Sequence, residues 1–181
     1  MERKIIITRT WQSPCGNLVL GVCDGRLCVC DWGRDTVIRR LSRYLDASAA
    51  EGDDSLITEA VRQLEEYFSG ERRCFELPLL MPGTELQQSV WGALLDVRYG
   101  TTLTYGELAM KIGRRTAVRA VANAVGANAL SVIVPCHRII GADGSLTGYA
   151  GGIEAKRMLL DLEARNGAGA ICGKATRCKE V

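Results

Sequence analysis

Apolar positions follow two rhythms along this chain. Over the first thirty residues they alternate or cluster as β-branched runs in KIIITRTW, NLVLGV and RLCVCDW, the last two separated by the turn signal Cys23-Asp24-Gly25. This spacing predicts an antiparallel meander. From Leu56 to Phe68 the rhythm turns helical, with Ile57, Val61, Leu64 and Phe68 on one stripe and Ser69-Gly70 as the stop. Gly, Pro and acidic residues around LPLLMPGTE mark a linker over 77–85.

A second unit starts at Leu86, where LQQSVWGALLDV is amphipathic and Tyr99-Gly100 closes it. Thr104 can cap a following helix with Glu107 in the capping-box position and Gly113 at its end. Thr116 can cap another, AVRAVANAV, which Gly126 ends. In that helix Val118, Val121, Ala122 and Val125 form one expected buried stripe, leaving Arg119 and Asn123 off it. Two short helices about a glycine turn, with an outward arginine, fit a helix-turn-helix; a plain packed pair of helices fits the same pattern. The apolar run LSVIV then reads as a strand leading into PCHRII. The glycine-rich stretch 141–152 reads as a loop, and IEAKRMLLDLEA as an amphipathic helix.

Composition narrows the class. With 181 residues and 47% hydrophobic content the chain can build one mid-sized or two small cores. It has no long apolar run that would suggest a signal peptide or a membrane span. The net charge of +2 is uninformative, but residues 98–140 carry Arg98, Lys111, Arg114, Arg115, Arg119 and Arg138 against Glu107 alone. That suggests either a basic binding surface or a merely solvated one. Eight cysteines without a signal peptide suggest reduced thiols rather than a disulfide framework. No C-x2-C pair occurs and the only histidine is His137, so no metal site is expected.

The candidate chemistry lies at Pro135-Cys136-His137-Arg138. A free thiol with a pKa of about 8.5 needs a base or a positive field to become a nucleophile. Any histidine-dependent chemistry must use His137, the single histidine. On a strand the two side chains would point to opposite faces, so His137 can serve Cys136 only if the backbone turns there or a water relays the proton. Serine-triad, P-loop, dinucleotide and metalloprotease motifs are absent.

IVPCHRII, with VW upstream and GSLTGYAGG downstream, resembles the signature of the methylated-DNA-protein-cysteine methyltransferases, the O6-alkylguanine-DNA alkyltransferases. The likeness is close over Leu86–Glu163. It extends more loosely to SPCGNLVLGVCDGRLCVCDW and EEYFSGERRCFELPL. It implies Cys136 as alkyl acceptor, His137 as water-bridged base, Glu163 as the carboxylate orienting it, and Asn128 as a brace for the helix-turn-helix and the active-site turn. It also implies that Tyr105 and Arg119 rotate the target nucleotide out and fill its place. Ala117 and Ala120, with Ala124, would let the helix approach DNA beside Asn123, and Val125, Pro135, Ile139, Tyr149 and Ala150 would line the guanine pocket. Lys156 matches a family position but reads equally well as a solvated helix lysine. Arg98 and Ala129 replace usual prolines and Ala122 a usual glycine; none of these touches the acceptor or its relay.

The expected fold class is therefore α/β (α+β). Residues 1–80 would form a ribonuclease-H-like sheet domain, 81–165 a mainly helical winged helix-turn-helix domain, and 166–181 a flexible tail. The expected reaction is single-turnover transfer from O6-alkylguanine, with O4-alkylthymine left open, and no cofactor. The alternative is a non-catalytic protein that binds alkylated bases, or a DNA-binding regulator. The expected partner is double-stranded DNA carrying alkylated guanine, bound by a monomer with clustering on DNA left open and no membrane involved. The compartment would be the cytoplasm in a prokaryote and the nucleus in a eukaryote.

Overall fold

The computed structural model describes residues 3–167. Most of the expected flexible tail, from residue 168, lies outside the described residues. The meander forms as expected from β1 (Lys4–Ser13), β2 (Gly16–Cys23) and β3 (Arg26–Asp31). Asp24 and Gly25 both adopt positive φ, 51° and 68°, in the two-residue turn between β2 and β3. That conformation matches the right-handed twist of the flanking strands. Two elements had not been anticipated: α1 (Asp35–Leu45) and β4 (Ala47–Glu51), which pairs parallel to β1 and completes the order β3-β2-β1-β4.

Helices cover both faces of this sheet. On one, Val37 and Leu41 of α1 pack with Ile6, Cys28 and Val29. On the other, α2 (Ser55–Ser69) packs with Leu18, Leu20 and Leu27 in a core that runs on into the C-terminal half. The expected α2 stripe is rotated: Ile57, Ala60, Gln63, Leu64 and Tyr67 are buried, whereas Val61 and Phe68 lie half out. Each fully buried aliphatic side chain here stabilises by roughly 1.5–3 kcal/mol. The segment read as a linker is firmly held. Leu27 N–H donates to Pro78 O (2.8 Å) and Leu80 N–H to Leu27 O (2.9 Å), so it extends the edge at β3.

In the C-terminal half, α3 (Glu85–Leu95) and α4 (Tyr105–Lys111) both start with a complete capping box, Thr84/Gln87 and Thr104/Glu107. The next helix, α5 (Val118–Gly126), differs from expectation. Ala117 rather than Thr116 is its N-cap and no side chain caps it. Its buried stripe is Val121, Ala124 and Val125, with Val118 37% exposed and Ala122 half-buried. Starting one residue later puts Val118 in the first, solvent-facing turn. Ala124 therefore faces the protein, its carbonyl accepting the indole N–H of Trp91 at 2.9 Å.

The run LSVIV is not a strand. Only Leu130 bridges to Cys30; then Val134 N–H donates to Leu130 O and Val132 takes φ 71°. A left-handed β-branched residue costs about 1–3 kcal/mol. Tertiary burial of all of Ala129–Ile139 holds it there, and that same burial makes the run apolar. A short 3-10 turn (Cys136–Arg138) leads to β6 (Ile139–Ile140), which pairs parallel with β5 (Leu103–Thr104). The chain ends its described part in α6 (Gly152–Arg165). No helix among the described residues is long and apolar enough to cross a membrane.

Candidate active site

Cys136 begins the 3-10 turn, so the backbone bends at the point where a strand would have separated it from His137. It is 6% exposed. Asn128, just beyond the end of α5, holds the turn: its Nδ2 donates to Val134 O (2.9 Å) and to Cys136 Sγ (3.2 Å), and its Oδ1 accepts from Leu130 N–H (2.9 Å). Those bonds satisfy a side chain that is 3% exposed, and they join the helix-turn-helix to the turn. Burial pushes the Cys136 thiol up, and the Asn128 donor and the nearby Lys156 and Arg34 charges only partly offset it. Burial therefore favours the neutral thiol over the thiolate.

His137 is fully buried, with Nε2 2.9 Å from Glu163 Oε1. Glu163, from α6, accepts further bonds from Arg138 Nη2 (2.8 Å) and Nε (3.0 Å), from Gly100 N–H (2.9 Å) and from Tyr67 Oη (2.7 Å). Burial alone would push the carboxyl up. The His137 and Arg138 donors overcome it and hold Glu163 below the usual carboxylate range. An ionised carboxylate only accepts, so His137 Nε2 carries the hydrogen and Nδ1 keeps the lone pair. Nδ1 has no partner among the described residues. Burial lowers the imidazole pKa, with Glu163 pulling the other way, so the resting ring is a neutral base.

Two basic residues differ from the reading above. Arg138, counted toward a basic surface, is 3% exposed and pairs with Glu163 while donating to Val97 O at 2.6 Å. Lys156 is fully buried, not solvated, and its Nζ donates to Ile139 O (2.5 Å) and Thr147 O (2.8 Å). It ties the Cys136 turn to the glycine-rich loop. The spacing 156, 159, 163 puts it on the same face of α6 as Leu159 and Glu163, and that signal was available in the sequence.

Of the other expected pocket residues, Val125 and Ile139 share the buried cluster of Cys136 with half-buried Tyr149 at its margin, Pro135 immediately precedes the turn, and Ala150 follows Tyr149. Tyr149 stands edge-on to both His137 (centroids 6.4 Å) and Trp32 (5.9 Å). Trp32, from the N-terminal half, went unrecognised in the sequence. Its indole lies so close to Gly151 that an added Cβ would come within 2.4 Å, so only glycine fits there. A hollow of about 380 Å³ between α1 and β4 is lined by Thr8, Asp35, Arg39 and Glu51 and contains none of these residues.

The outer surface of this region is the α4–α5 pair. Arg119, Ala120 and Asn123 are exposed and Ala117 half-exposed along one side of α5, opposite its buried stripe. Arg119 makes no hydrogen bond or ion pair with the described residues. Lys111, Arg114 and Arg115 are exposed beside it. Tyr105, the first residue of α4, reaches across to Thr147 O at 3.4 Å, because β5–β6 pairing sets the start of α4 beside the Cys136 turn.

Comparison with known proteins gives a consistent match. Residues 6–81 match the 6-O-methylguanine DNA methyltransferase, ribonuclease-like domain, and residues 85–165 the DNA binding domain of the same family. The methylated-DNA--protein-cysteine methyltransferase of Methanosarcina acetivorans is 52% identical over 111 residues, 61% of this chain and 71% of that protein. That of Mycobacterium tuberculosis is 45% identical over 157 residues, 86% and 90% of the two chains. The crystal structure of the M. tuberculosis O6-methylguanine methyltransferase in complex with DNA superposes with a TM-score of 0.76 at 43% identity, covering 88% of this chain and 93% of that one.

Proposed function

The chain belongs to the 6-O-methylguanine DNA methyltransferase family, and from that premise we propose that Cys136 takes the alkyl group of O6-alkylguanine in double-stranded DNA. Its function is DNA repair by direct alkyl transfer to a protein cysteine; the residue roles are our reading. The observation that carries it is the pair of hydrogen bonds Asn128–Cys136 and His137–Glu163 that meet at adjacent residues of one buried turn. It supplies nucleophile, base and orienting carboxylate.

In the proposed step the Cys136 S–C bond forms as the alkyl C–O6 bond breaks. The thiol proton passes through a water to His137 Nδ1, and the electron pair leaves on guanine O6, to which Tyr149 donates. The thioether has no route back, so each molecule reacts once. A stacked base cannot reach a thiol that is 6% exposed, so the nucleotide must be extruded, at a cost of a few kcal/mol. We assign that work to Tyr105 and Arg119, with Ala117, Ala120 and Asn123 against the DNA. Val125, Pro135, Ile139, Tyr149 and Ala150 are the proposed pocket. We place the division between the two domains near residue 81. The uncapped N-terminus of α5 beside Arg114 and Arg115 suits phosphate contacts, and binding should weaken steeply with salt.

The test is intact mass and peptide mapping after incubation with a duplex holding one O6-methylguanine. One methyl per chain, on the peptide containing Cys136, is expected. Folded protein that binds the duplex and gains no mass would overturn the reading. Arg119→Ala should slow transfer from duplex by on the order of tenfold to a hundredfold while affecting single-stranded substrate much less, because only the duplex charges the cost of extrusion. Equal losses on both substrates would remove Arg119 from that role.

A further inference from the structure

One partner of Glu163 that no step above uses comes from the other half of the chain. Tyr67 sits in the last turn of α2, fully buried, its ring wedged between Phe75 (centroids 5.4 Å) and Tyr99 (6.0 Å). Its hydroxyl donates to Glu163 Oε1 at 2.7 Å and lies 3.5 Å from His137 Nε2. The same carboxylate oxygen therefore serves the base and a phenol at once. The geometry points to Tyr67 as a positioning residue of the alkyl-transfer relay, through which the N-terminal domain sets the basicity of His137 by sharing Glu163 Oε1 with it. This rests on the reading of Cys136, His137 and Glu163 given above.

The physical reason is competition for one charge. Each donor to Glu163 disperses its negative charge, and what remains stabilises the imidazolium that forms when His137 takes the thiol proton. The phenol stays protonated in this role, since burial and the adjoining Glu163 charge both push its pKa well above the usual tyrosine value. The other groups facing the pair are Arg138 and Cys136 from the 3-10 turn, Lys156 from α6, Tyr99 and the Gly100 N–H from the segment after α3, and Tyr149 from the loop. Apart from His137 itself, Tyr67 is the only neutral side-chain donor to Oε1 among the described residues. Removing its hydroxyl alters the field at His137 without adding or deleting a charge.

Tyr67→Phe keeps the ring and its packing. With one donor lost, the carboxylate holds the imidazolium more strongly and the His137 pKa rises. The neutral base is then present only at higher pH. The acid limb of the single-turnover transfer rate, measured with saturating damaged duplex, should move up by about one pH unit, giving a roughly tenfold loss on that limb and little change on the plateau. Phe75→Leu, which loosens the same packing without touching the hydroxyl, should lower the melting temperature and leave the limb in place. His137 is the only histidine, so its ring resonances report the same shift directly by NMR.

A limb and ring titration that do not move in Tyr67→Phe, or that move equally in Phe75→Leu, overturn the inference. If Tyr67→Phe does not fold, the wild-type spectrum decides: a slowly exchanging Tyr67 hydroxyl proton with a cross-peak to the His137 ring supports it, and fast exchange without one overturns it. Failure of the underlying reading looks different, since wild-type protein would then gain no methyl on Cys136.

Discussion

Cys136→Ala is expected to fold, to bind alkylated duplex about as well as the parent chain, and to accept no alkyl group at all. The thiol belongs to the buried apolar cluster that includes Val125, Val134 and Ile139, and its one side-chain donor, Asn128 Nδ2, also bonds Val134 O. Replacing it leaves a void of about one sulfur atom and frees one of the two Asn128 N–H donors from a weak sulfur acceptor, which together cost on the order of 1–2 kcal/mol. The chemical loss has no such compensation. The other described free cysteines, Cys15, Cys23, Cys28 and Cys30, have no hydrogen-bonded link to His137. Burial pushes Cys28 up to about 12, and Cys30 higher still. None of these can take over as nucleophile. Mass spectrometry after incubation with a methylated duplex, beside a gel-shift measurement of affinity, checks both halves. A methyl still found on Cys136→Ala protein would move the acceptor elsewhere, and loss of DNA binding would show that the thiol also shapes the DNA-facing surface.

Alternation and capping chemistry are local signals, and they were read successfully: the meander, the Asp24-Gly25 turn and the Thr104 capping box all stand where the spacing put them. What was missed is what tertiary contact decides. α1 is the exception, since Val37, Ile38, Leu41 and Leu45 recur at helical spacing among arginines and could have been read from the sequence, whereas β4 (ASAAE) has only alanine to alternate. It becomes a strand because β1 offers its backbone edge.

The candidate site divides in the same way. Cys136, His137 and Asn128 lie within ten residues, and the motif reveals them. Tyr67, Trp32 and the buried state of Arg138 depend on how two distant stretches pack, which no spacing encodes, whereas the buried state of Lys156 was legible in its spacing from Leu159 and Glu163. The LSVIV run shows how the period misleads. Complete burial makes a sequence apolar whether the backbone is extended or, as at Val132, forced left-handed.

Glu163→Gln should be the most destabilising single change at this site, lowering stability by about 3–5 kcal/mol, because it strands the Arg138 guanidinium in a buried setting. The amide presents one acceptor where the carboxylate presents two, and its NH2 group would face the Arg138 and Gly100 donors. For a chain of this length that corresponds to a fall in melting temperature of roughly 10 °C. The pH dependence identifies the cause. The Glu163 carboxyl is depressed in the folded protein, so its contribution is fully present above the unfolded value of about 4.3 and is lost as pH falls through the folded one. The gap between parent and variant should therefore be constant near neutrality and close only in strong acid. Transfer should fall with it, since a neutral amide oxygen at the Oε1 position supports the imidazolium of His137 less than a carboxylate does. Denaturant titrations of both proteins at neutral and acid pH make the comparison. A neutral-pH gap below about 1 kcal/mol would mean that Arg138 finds water when the carboxylate goes, and a gap that widens in acid would reverse the sign of the linkage argued here.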